Sequence, residues 1–228
     1  MGIIYNSLAP SDGLVLSLDT ANRRSYPGSG TSWFDLSGNG NNGTLTNGAS
    51  LNTGPGGGMN FDGVDDFVAT TQTSGISSQS TVCAWVYPRN IATYQIVISE
   101  DPTFSVLSRN FVFGYGYTSG KLIAVDFRGS DFYIYESAVS LISNAWQHIS
   151  WTRRTAGMMF HVNGVQSGST FSYIGALNTN NIATRIGVRE LGDGFTNAVL
   201  DDIRIYNRAL SREEISILFN IKRRRYGL

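Results

Sequence analysis

Asn163-Gly164, set between Met158–Val162 and Val165-Gln166, constrains this chain more tightly than any other short stretch. Asn-Gly between alternating segments selects a type I′ turn, because both central residues must take positive φ. A chain reversing that sharply pairs its two arms as antiparallel strands. The same two-residue period recurs in Thr81–Val86, which reads as buried on both faces, and in Trp146–Thr152, where Ile149 and Trp151 share a side. Further strands are predicted at Leu14–Leu18, Gln95–Ser99, Asn110–Tyr115, Leu122–Phe127, Phe132–Ser137, Thr184–Val188 and Leu200–Tyr206. Many short strands with turn signals between them point to an all-β sandwich.

One helix is predicted near the C-terminus. Ser211-Arg-Glu-Glu214 forms a capping box, and Ile215, Leu218 and Phe219 follow as one apolar stripe. The basic run Lys222-Arg-Arg-Arg225 suits the negative end of its dipole. The resulting division is an N-terminal arm at 1–12, a β domain at 13–210, and a helix with a basic tail at 211–228. Asn47–Met59 reads as a glycine-rich loop within it.

The formal charge of zero argues against a general attraction to nucleic acid or membrane. No run approaches the roughly 20 apolar residues of a membrane span. Cys83 is alone, so no intramolecular disulfide forms, which leans toward folding in a reducing compartment. The first ten residues have neither a basic region nor an apolar core, and predict no signal peptide.

Two polar loops stand out. In Asp35–Thr44, Asp35, Asn39, Asn41 and Asn42 offer hard oxygen donors, while Gly38, Gly40 and Gly43 let the backbone bend round an ion. The competing reading is a turn whose Asx side chains bond their own backbone. Period 2 places Asp201 on the side of Ile203 and Ile205, where a carboxylate is costly unless paired or ligated. It either shares the ion of the first loop or accepts backbone amides. In Phe61–Val68, Asp62-Gly63 reads as a turn, and Asp65 and Asp66 project differently, so at most one serves a given ion.

Aromatics crowd Asn110–Glu136, and on a sheet face they stack on sugar rings. Tyr115, Tyr117, Tyr133 and Tyr135 are the candidates for an exposed, carbohydrate-binding face. Catalysis finds no support. Glu100, Glu136, Glu190, Glu213 and Glu214 include no pair on one strand, whereas glycosidases need two flanking carboxylates. His148 and His161 fall in separate strands, and Cys83 reads as core filler.

In this order the pieces resemble the laminin-G-like, concanavalin A-like jelly-roll family. The match runs from Gly13–Asp19 through the two loops, Thr81–Val86, Trp146–Thr152, Phe160–Val165 and Arg185-Ile-Gly187 to Leu200–Ser211. The resemblance implies two antiparallel sheets of about six or seven strands, and raises the prospect of a structural calcium held by Asp35, Asn39, Asn41 and Asp201. Leu14–Asp19, the stretch Ser25–Thr31 before Trp33, and the ending Phe219–Leu228 are similar to laminin-G-like proteins of tailed bacteriophages. That resemblance implies a non-enzymatic virion protein, made in a bacterial host, that decorates a capsid or belongs to a fibre or tail. Its partners would be host-surface glycans and other virion proteins or further copies of itself. Lys222, Arg223, Arg224 and Arg225 would then form an interface with acidic surface on a neighbour. The alternative is a free carbohydrate-binding or adhesion module of a cell-surface system.

Overall fold

The structure, a computed structural model, describes residues 9–73, 79–101, 109–155, 157–172, 178, 182–189 and 193–228. Of the N-terminal arm, 1–8 lie outside the described residues. The first eight strands are Leu14–Leu18 (β1), Ser32–Trp33 (β2), Gly43–Thr46 (β3), Ser50–Leu51 (β4), Met59–Asp62 (β5), Phe67–Thr73 (β6), Ser80–Pro88 (β7) and Gln95–Glu100 (β8). The next eight are Phe111–Tyr115 (β9), Lys121–Arg128 (β10), Asp131–Ser140 (β11), Gln147–Arg154 (β12), Gly157–Val162 (β13), Val165–Gln166 (β14), Ala183–Ile186 (β15) and Asn197–Tyr206 (β16). A helix, Arg212–Lys222 (α1), and a 3₁₀ turn, Arg223–Tyr226, follow.

The strands build an all-β jelly-roll sandwich of two antiparallel sheets with eight strands each. The first sheet runs β14-β13-β12-β7-β16-β5-β4, with β1 also paired to β16; the second runs β11-β10-β9-β8-β15-β6-β3-β2. Eight strands exceed the expected six or seven because the sandwich rim uses β2 and β4, of two residues each, and β3, of four.

Alternation decides what enters the interior. Val82, Ala84 and Val86 of β7 and Ile149 and Trp151 of β12 share a core with Phe111 and Phe113 of β9 and Leu122 and Ala124 of β10. The Trp151 ring lies 5.4 Å from Phe111 and 6.2 Å from Phe113, at offset aromatic spacings. The predicted Asn163-Gly164 hairpin joins β13 to β14 with φ of 51° and 78°.

β7 is buried on both faces because α1 covers the outer side of the first sheet. Cys83 and Tyr206 pack there with Ile215 and Leu218 of the helix, and Trp85 stacks on Tyr226 at 4.0 Å. The capping box forms as read: the Ser211 hydroxyl accepts the Glu214 amide at 3.2 Å, and Glu214 Oε2 accepts the Ser211 amide at 2.8 Å. Ser211→Ala should cost about 1 kcal/mol, seen as a lower urea midpoint with unchanged slope.

β16 departs from simple alternation. Asp202 has φ of 43°, and the register with β7 shifts between Asp201 and Arg204, which marks a bulge. Leu200 points into the core before the bulge and Ile203 and Ile205 after it, while Val199 belongs to the cluster under the tail. Asp201 therefore faces outward with Val199. The expectation that it shares a side with Ile203 and Ile205 fails by one inserted residue.

Candidate functional site

Among the described residues, no helix covers the outer face of the second sheet. Since Leu122 and Ala124 point inward, Ile123, Val125 and Phe127 must point out, and Val112 joins them from β9. Tyr94 packs against this outward cluster, and Arg109 and Phe132 lie on its Phe127 ring. The result is a groove of about 230 Å³. Tyr117, 60% exposed, Phe132, 57%, and Ile134, 40%, form much of its wall. Tyr94 and Tyr117 meet edge to face at 6.0 Å.

Arg109 and Arg189 add positive charge to the same groove. Asp101, 2% exposed, holds both through its two oxygens, with Nε of each arginine at 2.8 Å. Burial pushes the Asp101 acid above its ordinary value, and the two guanidiniums oppose that shift. Arg109 also lies over the Phe127 ring at 5.3 Å. The groove thus combines aromatic walls with fixed guanidiniums. Sequence reasoning missed all of its residues but Tyr117. The available signal was the nearly unbroken apolar run Leu122–Phe127, which leaves both faces of β10 greasy.

Of the four candidate tyrosines, only Tyr117 lines this groove. Tyr115 is fully buried in the interior, a correction with a simple cause: it shares its side of β9 with Phe111 and Phe113. Tyr133 and Tyr135 lie opposite Asp126 and Ala124, on the face turned from Phe132 and Ile134. There Arg128 stacks over Tyr133 at 4.5 Å and donates to Tyr135 Oη at 3.0 Å. The four do not form one platform.

The Asp35 loop satisfies itself. Asp35 Oδ1 accepts the amides of Ser17 and Ser37, at 2.9 and 2.8 Å, and Oδ2 accepts the Asn41 amide at 3.0 Å and the Ser37 hydroxyl at 2.6 Å. Asn39 and Asn41 turn their amide nitrogens onto the Val15 carbonyl, at 3.2 and 2.9 Å. Asp201 is engaged elsewhere. Its Oδ1 accepts the Thr20 amide at 2.9 Å, and Oδ2 meets Arg225 at 2.5 Å and the Tyr226 hydroxyl at 2.9 Å. The donor set does not fit a calcium shared by Asp35, Asn39, Asn41 and Asp201, because the two carboxylates already hold donors in separate networks.

Arg225 belongs to a tail folded back on its own domain. Lys222 Nζ reaches Asp19 at 2.5 Å and Arg225 Nη1 reaches it at 3.0 Å. Burial works against the charged Asp19, yet these two cations hold its carboxyl below the ordinary range. Lys222 and Arg225 are therefore internal clamps, which corrects their place in an outward interface; Arg223 and Arg224 remain exposed.

Other ionisable groups are sealed inside. Glu100, fully buried, accepts Thr184 Oγ1 at 2.9 Å and Asn110 Nδ2 at 2.9 Å, and burial raises its acid to about 7. Asp126 of β10 meets Arg153 of β12 at 3.3 Å across the sandwich. His148 and His161 are held neutral, each pushed down to about 4 by burial. His161 Nδ1 lies 3.3 Å from Ser150 Oγ, with both residues buried. Glu190 lies outside the described residues.

Residues 61–216, well over half the chain, match the family model of the concanavalin A-like lectin/glucanases superfamily. The chain belongs to this superfamily. Among solved structures, this superfamily member is similar to domain 4 of AbnA, a GH43 extracellular arabinanase from Geobacillus stearothermophilus, in complex with arabinotriose. That match has a TM-score of 0.70 and 20% identity over 90% of this chain and 97% of that one. It is also similar to the binding domain of Paraclostridial Mosquitocidal Protein 1, with a TM-score of 0.69 and 18% identity over 92% of this chain. The botulinum neurotoxin type G receptor binding domain gives a TM-score of 0.67 and 16% identity over 92% of this chain. The superfamily member spans about half the length of these toxin domains, 52% and 51%. A comparison with curated protein sequences finds no match.

Proposed function

We propose that this chain is a non-enzymatic, lectin-like module that binds an oligosaccharide in the outer groove of the second sheet. The observation that carries this reading is the exposed pair Tyr117 and Phe132 above an apolar floor, flanked by Arg109 and Arg189. A sugar ring presents an apolar face to such rings and hydroxyls to charged donors. The groove, at about 230 Å³, is smaller than the ~300–1,000 Å³ of drug-sized sites and suits a terminal sugar unit. Two similar folds support the reading, one named as a binding domain and the other, domain 4 of an arabinanase, in complex with arabinotriose. A second pocket, beside Tyr87 and Trp146, is less suited: Trp146 is 7% exposed and its indole N–H is given to the Pro55 carbonyl at 3.0 Å.

A glycan array with the isolated protein tests the proposal. Tyr117→Ala and Phe132→Ala should each weaken binding by about 1–3 kcal/mol, the scale of a lost stacking partner, with unchanged melting temperature. Binding that survives both substitutions places the ligand elsewhere.

The finer reading is a bacteriophage virion surface protein, part of a capsid decoration, fibre or tail. Its support is the resemblance of Leu14–Asp19, 25–31 and 219–228 to phage-encoded laminin-G-like proteins. With Lys222 and Arg225 used internally, attachment to the particle falls to other surface, including Arg223 and Arg224. Immunogold labelling of particles checks this, and unlabelled particles return the reading to a free adhesion module.

A further inference from the structure

The groove assigned to an oligosaccharide is walled by donors far more than by acceptors. None of its described lining residues is acidic, and its polar side chains are Arg109, Arg189 and the phenols of Tyr94 and Tyr117. A guanidinium carries five N–H donors and no acceptor, so only the two phenols among these side chains can accept. Burial raises the Tyr94 phenol further above its ordinary value, with the Arg189 charge opposing, and it stays neutral. A neutral sugar brings hydroxyls that must donate as well as accept, and this wall serves only half of that need.

Asp101 shows what the two arginines hold well. It stands behind the groove rather than in its lining, and each of its oxygens meets one guanidinium Nε at 2.8 Å. One buried anion therefore faces two cations. Arg189 Nη1 also reaches Asp193 at 3.4 Å, but that side chain is 57% exposed, and a solvated rim pair contributes little. The arginine side chains themselves are only 13% and 18% exposed. Charge held so close to apolar walls is weakly screened, and an anion placed beside it gains more than on open surface.

We propose that the groove selects an acidic oligosaccharide, in which a sugar carboxylate bridges Arg109 and Arg189 from the solvent side while its ring stacks on Tyr117 or Phe132. This rests on the groove being the sugar site and names the class of sugar it takes. The planar guanidinium fork matches two coplanar oxygens, and its bonds to a carboxylate are charge-assisted, where those to a hydroxyl are not. Asp101 is then a positioning residue, which fixes both forks without touching the ligand.

The test is a glycan array on which every carboxylate-bearing glycan is printed beside its methyl ester, with neutral and sulfated glycans alongside. Wild-type protein should bind the free acids, lose about 10- to 100-fold on esterification, and weaken several-fold between about 0.05 and 0.5 M salt. Arg189→Gln, in which Arg109 still pairs with Asp101, should weaken binding of the acids about tenfold. Arg189→Lys should recover only part of that loss, because it restores the charge without the fork. The comparison of acid with ester uses the unaltered chain and so stands even where a variant folds poorly. Equal binding of acid and ester, or a preference for neutral or sulfated glycans, overturns the acidic assignment; loss of that binding in Tyr117→Ala would still leave the groove as the sugar site. Silence across the array defeats both. Acid-specific binding that Arg189→Gln leaves unchanged puts the carboxylate elsewhere and overturns the proposal.

Discussion

Glu100→Gln should raise the melting temperature at about pH 8 by roughly 6–10 °C and remove much of the wild-type loss of stability between about pH 4.5 and 7. Glu100 keeps its proton to about pH 7 in the folded chain against an ordinary value of 4.5. Between those values the folded state binds more protons than the unfolded state, so stability is greatest below the lower value and falls as pH rises toward the upper one. At 1.36 kcal/mol per pH unit the loss approaches about 3 kcal/mol. The cause is burial, only partly offset by hydrogen bonds from Asn110 and Thr184. Glutamine keeps both contacts, accepting from Asn110 and donating to the Thr184 hydroxyl, without a charge to desolvate. Urea melts across pH, read as the difference between wild type and variant, isolate this group; parallel curves refute the assignment.

Arg225→Ala should destabilise the fold by about 3–5 kcal/mol near neutral pH. It strips the ion pair from fully buried Asp201, leaving a carboxylate held only by the Thr20 amide and the Tyr226 hydroxyl. It also removes one of two cations on Asp19. Breaking one side of a buried pair costs more than losing both sides, because the remaining charge has no compensation. Asp201→Asn in the Arg225→Ala background should therefore recover much of the loss, a coupling that a double-mutant cycle in urea measures directly. Lower pH should narrow the gap, since a protonated Asp201 no longer needs the guanidinium. An additive cycle would mean that Arg225 acts through packing on Tyr226 instead.

What the sequence could say tracks the range of the interaction responsible. Alternation located β7, β12 and β16 because each packs an entire face, and Ser211–Glu214 marked the helix because capping is local. The rim strands β2 and β4, of two residues each, are shorter than any period that could announce them. Asp201 was assigned to the wrong side because parity carries across a strand only until a bulge, and the left-handed Asp202 has no sequence mark. Tyr115 could have been placed, since Phe111 and Phe113 set its side. The tail's return to Asp19 and Asp201 joins residues 203 and 24 positions apart, and charge patterning alone does not reveal such a partner. The groove was hidden for a related reason, since its arginines come from segments on either side of the strands that floor it.

The C-terminal helix closes one broad side of the sandwich, and the other keeps its furrow open to solvent. A carrier particle or sensor surface coupled through Leu228 would therefore hold the module by its sealed back. The recognition side would point away from the support, available to whatever approaches from solution.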